Sequence, residues 1–272
     1  ACPPLPSTRM ENLFDVKGKT VVVTGGGSGI GRMIAEGFAR AGSDVWIMSR
    51  KFEKCKSVAK DISATTGGNC SALPACDLGK GADECKRVVA EMTKQGIESV
   101  DVLINNSGCS WGQPLEMYQE KGWDKVMDLN VKGLFFLTKA MLPLLEKAAT
   151  SDVPARVINI GSIAGLRPQA VPTFAYDASK SAVHQLTKHL AGFLAAKCIT
   201  VNAIAPGLVP SKMSKGLETY SSKKDILSKI PLGRFGNSAD MAGVAIFLAS
   251  KASSWITGSI IKVDGGALVS RL

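Results

Sequence analysis

The chain has 272 residues, 45% of them hydrophobic and 21% charged, so it can build one large α/β domain or two smaller ones around a full core. Lys and Arg outnumber Asp and Glu by 33 to 23, a net charge of +10, which suits an anionic ligand or partner and equally a basic, well-solvated surface. The charges form no polybasic run with interleaved aromatics, which argues against nucleic-acid binding, and the most apolar segments are too short or too charged to span a bilayer.

Residues 1–14 are Pro-rich and lack an apolar stretch, so they are expected to be a tail and not a secretory signal. The seven cysteines, at positions 2, 55, 70, 76, 85, 109 and 198, are scattered and never spaced as C-x-x-C. Buried thiols in a reducing compartment account for that pattern better than a disulfide framework, and the chain reads as soluble and cytoplasmic. Short β-branched runs predict strands at 20–24, 44–49, 71–76, 101–105, 156–162, 199–205 and 259–264. They are near-continuously apolar, as strands covered on both faces are. Amphipathic stretches between them predict helices at 31–41, 53–65, 83–95, 123–147, 174–197 and 239–250. This alternation predicts a single α/β domain over 15–272, a doubly wound seven-stranded parallel sheet with helices on both faces. Residues 207–233 read as a loop-rich insertion.

The first strand runs into "TGGGSGIG", with Gly25, Gly29 and Gly31 at G-x-x-x-G-x-G spacing. Between a first strand and a first helix, the run of Gly25, Gly27, Ser28, Gly29, Ile30 and Gly31 is expected to cradle a pyrophosphate on free helix N–H groups. Taken alone, such a run is also compatible with a tight turn. The second strand ends in "WIMSRKFEK", where Ser49 holds the position of the acidic residue that would bind a ribose 2′-hydroxyl. A carboxylate would repel a 2′-phosphate, whereas Arg50 can fork onto one, with Ser49 and Lys51 beside it. NADP(H) is therefore expected over NAD(H). Two solvated basic residues at a helix start would leave the missing acid unexplained.

With these glycines placed, "CDL" (76–78), "NNSG" (105–108), "LNV" (129–131), "IGS" (160–162), "YDASK" (176–180), "APG" (205–207) and "VDGG" (263–266) fall into one order. From about Lys17 to Gly266 the chain resembles the short-chain dehydrogenase/reductases, which implies a Rossmann-type fold. The departure is Ser107, where that family usually has Ala. The resemblance implies that Asp77, with Leu78, borders the adenine, and that Asn105, Ser107 and Gly108 shape the turn beside the adenosine ribose. It implies that Pro206, Gly207 and Val209 border the nicotinamide. Family members are usually tetramers, which implies a homotetramer or homodimer built from the helices at 123–147 and 174–197.

Tyr176 and Lys180, four apart, would share one face of a helix. By themselves they read as a surface pair. Ser162 at the end of the preceding strand changes that reading, since the carboxyl edge of a parallel sheet forms the ligand crevice. The resemblance implies that Ser162 binds the substrate oxygen and that Tyr176 is the general acid/base. It implies that Lys180 binds the nicotinamide ribose, while Asn130 holds a relay water. A nearby ammonium is expected to lower the phenol pKa. His184 and His189 lack companions at ligand spacing, so no metal is expected. Cys109 is either near the substrate or merely buried, and Ser179 is a small packing residue.

Three segments, 109–116, 163–174 and 208–220, are expected to line the substrate side. They supply Trp111, Leu166, Phe174 and Met213, with Pro168 and Leu208, under a rim containing Arg167 and Lys212. The segments "SWG", "ARVINIGSIAG" and "APGLVPSKM" resemble 3-oxoacyl reductases of the rhamnolipid-biosynthesis type. The expected substrate is a small-molecule ketone, β-ketoester or acyl thioester, reduced with NADPH. The alternatives are a dehydrogenase of sugars, polyols or other secondary alcohols, and a non-catalytic dinucleotide sensor.

Overall fold

The computed structural model describes residues 12–211, 213–214 and 222–269. Most of the expected tail, Lys212, and residues 215–221 of the expected insertion lie outside them. Seven strands form one all-parallel sheet: β1 (Thr20–Thr24), β2 (Asp44–Met48), β3 (Asn69–Ala72), β4 (Val102–Asn105), β5 (Ala155–Ile160), β6 (Ile199–Pro206) and β7 (Ile260–Val263). Their spatial order is β3-β2-β1-β4-β5-β6-β7. The order reverses between β1 and β4, which opens a crevice at the carboxyl ends of those strands.

Helices α1 (Gly29–Arg40), α2 (Phe52–Thr66), α3 (Ala82–Lys94), α4 (Glu120–Met127), α5 (Leu134–Ala148), α6 (Phe174–Leu194), α7 (Lys223–Ser228) and α8 (Ser238–Ala249) complete the order. The strand period of two sorts the β1 valines between two cores. Val21 and Val23 pack with Ile34 and Phe38 of α1, Val58 of α2 and Met241 of α8. Val22 packs on the opposite face with Val88 of α3, Leu137 of α5 and Leu194 of α6. Among the described residues no helix is long and apolar enough to cross a membrane.

Two elements differ from expectation in ways that bear on the site. β3 lies earlier than expected, at Asn69–Ala72, because its pairing with Asp44–Ile47 of β2 sets its limits. Pro74 cannot donate to that ladder. The helix expected over 123–147 is two helices joined by a π-helical turn, Asp128–Gly133. Apolar periodicity runs through the break and hides it, and the wider turn carries Asn130. α7 is a short helix inside the expected insertion. Its Ser222 side chain caps the Asp225 N–H at 3.1 Å.

Candidate active site

The crevice begins with the Gly-rich turn after β1. Gly25 takes φ +67° and donates its N–H to the Met48 carbonyl at 2.7 Å. A Cβ on Gly31 would stand 2.4 Å from the Asn106 amide nitrogen and 2.6 Å from the Gly25 carbonyl oxygen, so the first turn of α1 closes on the strand-end turn only without a side chain there. Asn106 was not among the residues expected from sequence. Its Nδ2 donates to the Thr24 carbonyl at 2.8 Å, while the Asn106 and Ser107 N–H groups both donate to Thr24 Oγ1.

Ser28 is exposed and makes no side-chain cap to α1, whose first turn also lacks an acidic residue. The free N–H groups of Gly29, Ile30 and Gly31 thus meet a positive helix end with no protein anion on it. Gly27 is buried over Cys55, and Ser211 comes across from the segment after β6 to within 3.4 Å of a Cβ position on Gly29. This cradle fits a dinucleotide pyrophosphate.

At the end of β2, Arg50 and Lys51 are exposed. The Ser49 hydroxyl accepts the Lys51 N–H at 3.1 Å and lies 3.1 Å from Cys55 Sγ. No carboxylate occupies Ser49's place, so the chemistry of this end suits a phosphate. Asp77 uses Oδ1 on the Gly79 N–H at 3.2 Å. Leu78 is buried at 4% exposure against Gly133, and its side chain is part of the core.

Asn105 lies at the end of β4 beneath the turn, 3% exposed. Its Nδ2 donates to Thr138 Oγ1 at 2.9 Å and to Asn159 Oδ1 at 3.0 Å, and Asn159 donates onward to Thr187 Oγ1 at 2.9 Å. The sheet is thereby joined to α5 and α6. Gly108 sits over Asn130 Oδ1 and Lys180 Nζ, its Cβ position 3.2 and 3.8 Å from them. The Asn130 side chain makes three hydrogen bonds. Its Oδ1 accepts the Cys109 N–H at 2.8 Å, and its Nδ2 donates to the Cys109 carbonyl and to Ser179 Oγ, each at 2.9 Å. Ser179 in turn donates to the Tyr176 carbonyl at 2.7 Å, a tie beyond the packing role expected of it.

Ser162, Tyr176 and Lys180 converge at the carboxyl end of β5. Ser162 is extended and accepts the Ala164 N–H on its Oγ at 3.1 Å. Lys180 is 5% exposed, donates to the Ile160 carbonyl at 2.7 Å and holds its Nζ 5.6 Å from the Tyr176 ring centroid. Burial pulls the Lys180 ammonium down to about 8. Burial also pushes the Tyr176 phenol up, a hydrogen bond with Ser162 working against that rise. The expected lowering by Lys180 is overturned in the protein by itself, because desolvation of phenolate dominates.

On the side expected to line a substrate, the Trp111 ring packs on Gly122 of α4 with Lys125 Nζ 5.4 Å from its centroid, and its N–H donates to Gln113 Oε1 at 3.1 Å. It is therefore held as part of the α4 wall. Tyr118, missed from sequence, ties that wall to α6. Its hydroxyl accepts the Ala175 N–H and donates to the Trp111 carbonyl, both at 3.3 Å, and its ring meets Phe174 edge-on at 5.5 Å. Leu166, Phe174 and Met213 are exposed by 45, 41 and 44%. Arg167 donates to the Ala267 carbonyl at 3.1 Å. Pro206 ends β6, and Gly207 donates to the Val263 carbonyl at 2.9 Å. The Val209 side chain is buried in the core. Among the described residues no three His, Cys, Asp or Glu side chains gather as metal ligands.

The arrangement brings a neutral phenol, a buried amine and a hydroxyl to one end of an anion cradle. The family model described as Enoyl-(Acyl carrier protein) reductase matches residues 25–267. The chain is 42% identical over 261 residues to the rhamnolipids biosynthesis 3-oxoacyl-[acyl-carrier-protein] reductase of Pseudomonas aeruginosa, covering 94% of this chain and 99% of that one. It is 35% identical to the 2-dehydro-3-deoxy-D-gluconate 5-dehydrogenase of Bacillus subtilis, over 95% and 98% of the two chains. The solved Pseudomonas aeruginosa RhlG/NADP active-site complex superposes with a TM-score of 0.88 at 41% identity, over 95% of this chain and 99% of that one. The chain belongs to the short-chain dehydrogenase/reductase family of oxidoreductases.

Proposed function

We propose that this protein is an NADPH-dependent reductase of a carbonyl in a 3-oxoacyl thioester, β-ketoester or related ketone. The observation that carries the reading is the meeting of Ser162, Tyr176 and Lys180 beside an uncapped α1 N-terminus. The free N–H groups at Gly29–Gly31 would hold the pyrophosphate, and Arg50 with Ser49 and Lys51 the 2′-phosphate. When bound, NADPH supplies the hydride that reaches the carbonyl carbon.

The chain's own residues then handle charge on the carbonyl oxygen. Ser162 donates its hydroxyl proton in a hydrogen bond to that oxygen. Tyr176 transfers its phenolic proton to it, and burial keeps the phenol protonated until then. Lys180, anchored on the Ile160 carbonyl, offers positive charge to the phenolate left behind. Asn130 clamps both backbone groups of Cys109 and, through Ser179, the backbone of Tyr176, so it keeps the floor of the site on α6.

Exposed Leu166, Phe174 and Met213 favour an apolar substrate arm, such as an acyl chain. A second reading, oxidation of a sugar acid or polyol with NADP⁺, is favoured by the likeness to the gluconate-series dehydrogenase. NADPH oxidation with acetoacetyl thioester and a simple β-ketoester, set against NADP⁺ reduction with a polyol panel, separates them. Turnover only with polyols would reverse the assignment, and no turnover with either would favour a dinucleotide sensor. We also propose a homotetramer or homodimer through α4, α5 and α6, where Trp123 and Phe193 are 42 and 72% exposed. A cytoplasmic setting accords with the unpaired thiols among the described residues, including Cys70 and Cys76, which burial pushes up to about 12.

A further inference from the structure

The turn that carries Ser162 lies flush on α6. A Cβ on Gly165 would stand 2.6 Å from the Lys180 carbonyl carbon, and one on Gly161 would stand 2.2 Å from His184 Nε2. His184 is therefore the floor on which the end of β5 rests. It is 4% exposed, and its Nε2 accepts the backbone N–H of Ser162 at 3.5 Å. The other ring nitrogen, Nδ1, is buried on the side of Gly165 without a hydrogen-bond partner, and the Gly165 carbonyl accepts from Ser181 Oγ at 3.1 Å.

An accepting Nε2 requires that the neutral ring carry its proton on Nδ1. Burial pulls the imidazole down to about 4; the Gly165 backbone opposes this, and Lys180 and Lys188, a turn away on either side, reinforce it. With its N–H on His184 and an Oγ lone pair on the Ala164 N–H, Ser162 retains its hydroxyl proton as the donor that faces Tyr176. An aliphatic side chain at 184 would fill the same space but strand a buried N–H.

We propose that His184 is a positioning residue for Ser162, its neutral Nε2 holding the serine's backbone N–H so that the hydroxyl is aimed at the substrate oxygen. This rests on the carbonyl-reductase reading. His184→Leu keeps the volume and removes the acceptor, whereas His184→Gln can return an acceptor near Nε2. Misaiming Ser162 should lower kcat about tenfold in His184→Leu, with the NADPH dissociation constant, read by fluorescence titration, unchanged. His184→Gln should recover turnover to within about threefold of wild type. In a Ser162→Ala background His184→Leu should cost nothing further, because the hydroxyl it aims is gone.

Equal losses in both backgrounds, or wild-type turnover in His184→Leu, would overturn the proposal. Wild-type turnover in Ser162→Ala alone would instead remove the catalytic reading beneath it. The chain has only two histidines, so ¹⁵N-imidazole NMR of the intact enzyme gives a test independent of variant stability. The signal kept by a His189→Gln variant belongs to His184 and should report a neutral ring protonated on Nδ1 from pH 6 to 8. Protonation on Nε2 would exclude the contact with Ser162 and with it the proposal.

Discussion

Asn105 on β4 and Asn159 on β5 are register partners whose side chains bond directly, Asn105 Nδ2 donating to Asn159 Oδ1 at 3.0 Å. Thr138 of α5 and Thr187 of α6 complete the chain at either end. The ladder crosses the buried centre of the sheet immediately below the crevice, and so locks the helix bearing Tyr176 to the strand preceding the "NNSG" turn. Asn159→Leu would strip Asn105 of one acceptor and Thr187 of one donor. It should destabilise the fold by on the order of 2 kcal/mol in denaturant unfolding, since buried polar groups left without partners cost more than an average hydrogen bond contributes. A cycle with Asn105→Leu should show coupling of about 1 kcal/mol; strict additivity would mean that the two side chains act independently.

Tyr176→Phe keeps the ring but removes the proton donor. Turnover of a ketone substrate should fall by about 10²- to 10⁴-fold, the range for loss of a positioned general acid. NADPH binding, followed by fluorescence titration, should stay near wild type. Retained turnover would contradict the role given to the phenol.

Lys180 brings a pH signature of its own. Its folded value is about 8 against 10.5 for an ordinary lysine, so the unfolded chain holds this proton more tightly than the folded chain does. Stability contributed through Lys180 is therefore lowest while both states are protonated and rises as pH climbs from about 8 toward 10.5. Comparing wild type with Lys180→Met by urea denaturation should reveal that rise in wild type alone. Ketone reduction at saturating NADPH should decline above about pH 8, as the charge that supports the phenolate is lost. A flat profile to pH 10 would mean that the bound state restores Lys180 to its ordinary range.

Much of this architecture could be read from the chain because each strand is a short apolar run and each helix repeats its own period. The misplacement of β3 and the undetected π-turn share a cause, since pairing with β2 and the clamp between Asn130 and Cys109 are contacts distant in sequence. Motifs also named residues without saying what they touch. "NNSG" drew attention to Asn105, yet Asn106 closes the Gly-rich turn, a function visible only once its amide is seen against Gly31. Tyr118 and His184 carry no motif and act by bonding to Ala175 and Ser162, partners 57 and 22 residues away. Arg156 reads as one more basic residue at a strand start. Folded, it is 1% exposed and donates to the Ser250 carbonyl just beyond α8 at 2.9 Å. Desolvation also works against the expected pull of Lys180 on Tyr176, and that depends on depth of burial, which spacing does not encode.

Cofactor choice rests on the end of β2. Ser49 is held by the Lys51 N–H and by its contact with Cys55, and Arg50 beside it is exposed. Removing the guanidinium in Arg50→Ala should weaken NADPH binding by about 10- to 100-fold, the cost of losing charge-assisted hydrogen bonds to a phosphate, and leave NADH binding unchanged. Ser49→Asp should go further, because a carboxylate repels the 2′-phosphate and can accept from a ribose 2′-hydroxyl. It should invert the ratio of kcat/KM for the two cofactors. Isothermal titration with each nucleotide separates binding from turnover. Equal losses of NADPH and NADH affinity in Arg50→Ala would mean that this arginine grips a part common to both cofactors, and NADP(H) selectivity would then have to arise elsewhere in the cradle.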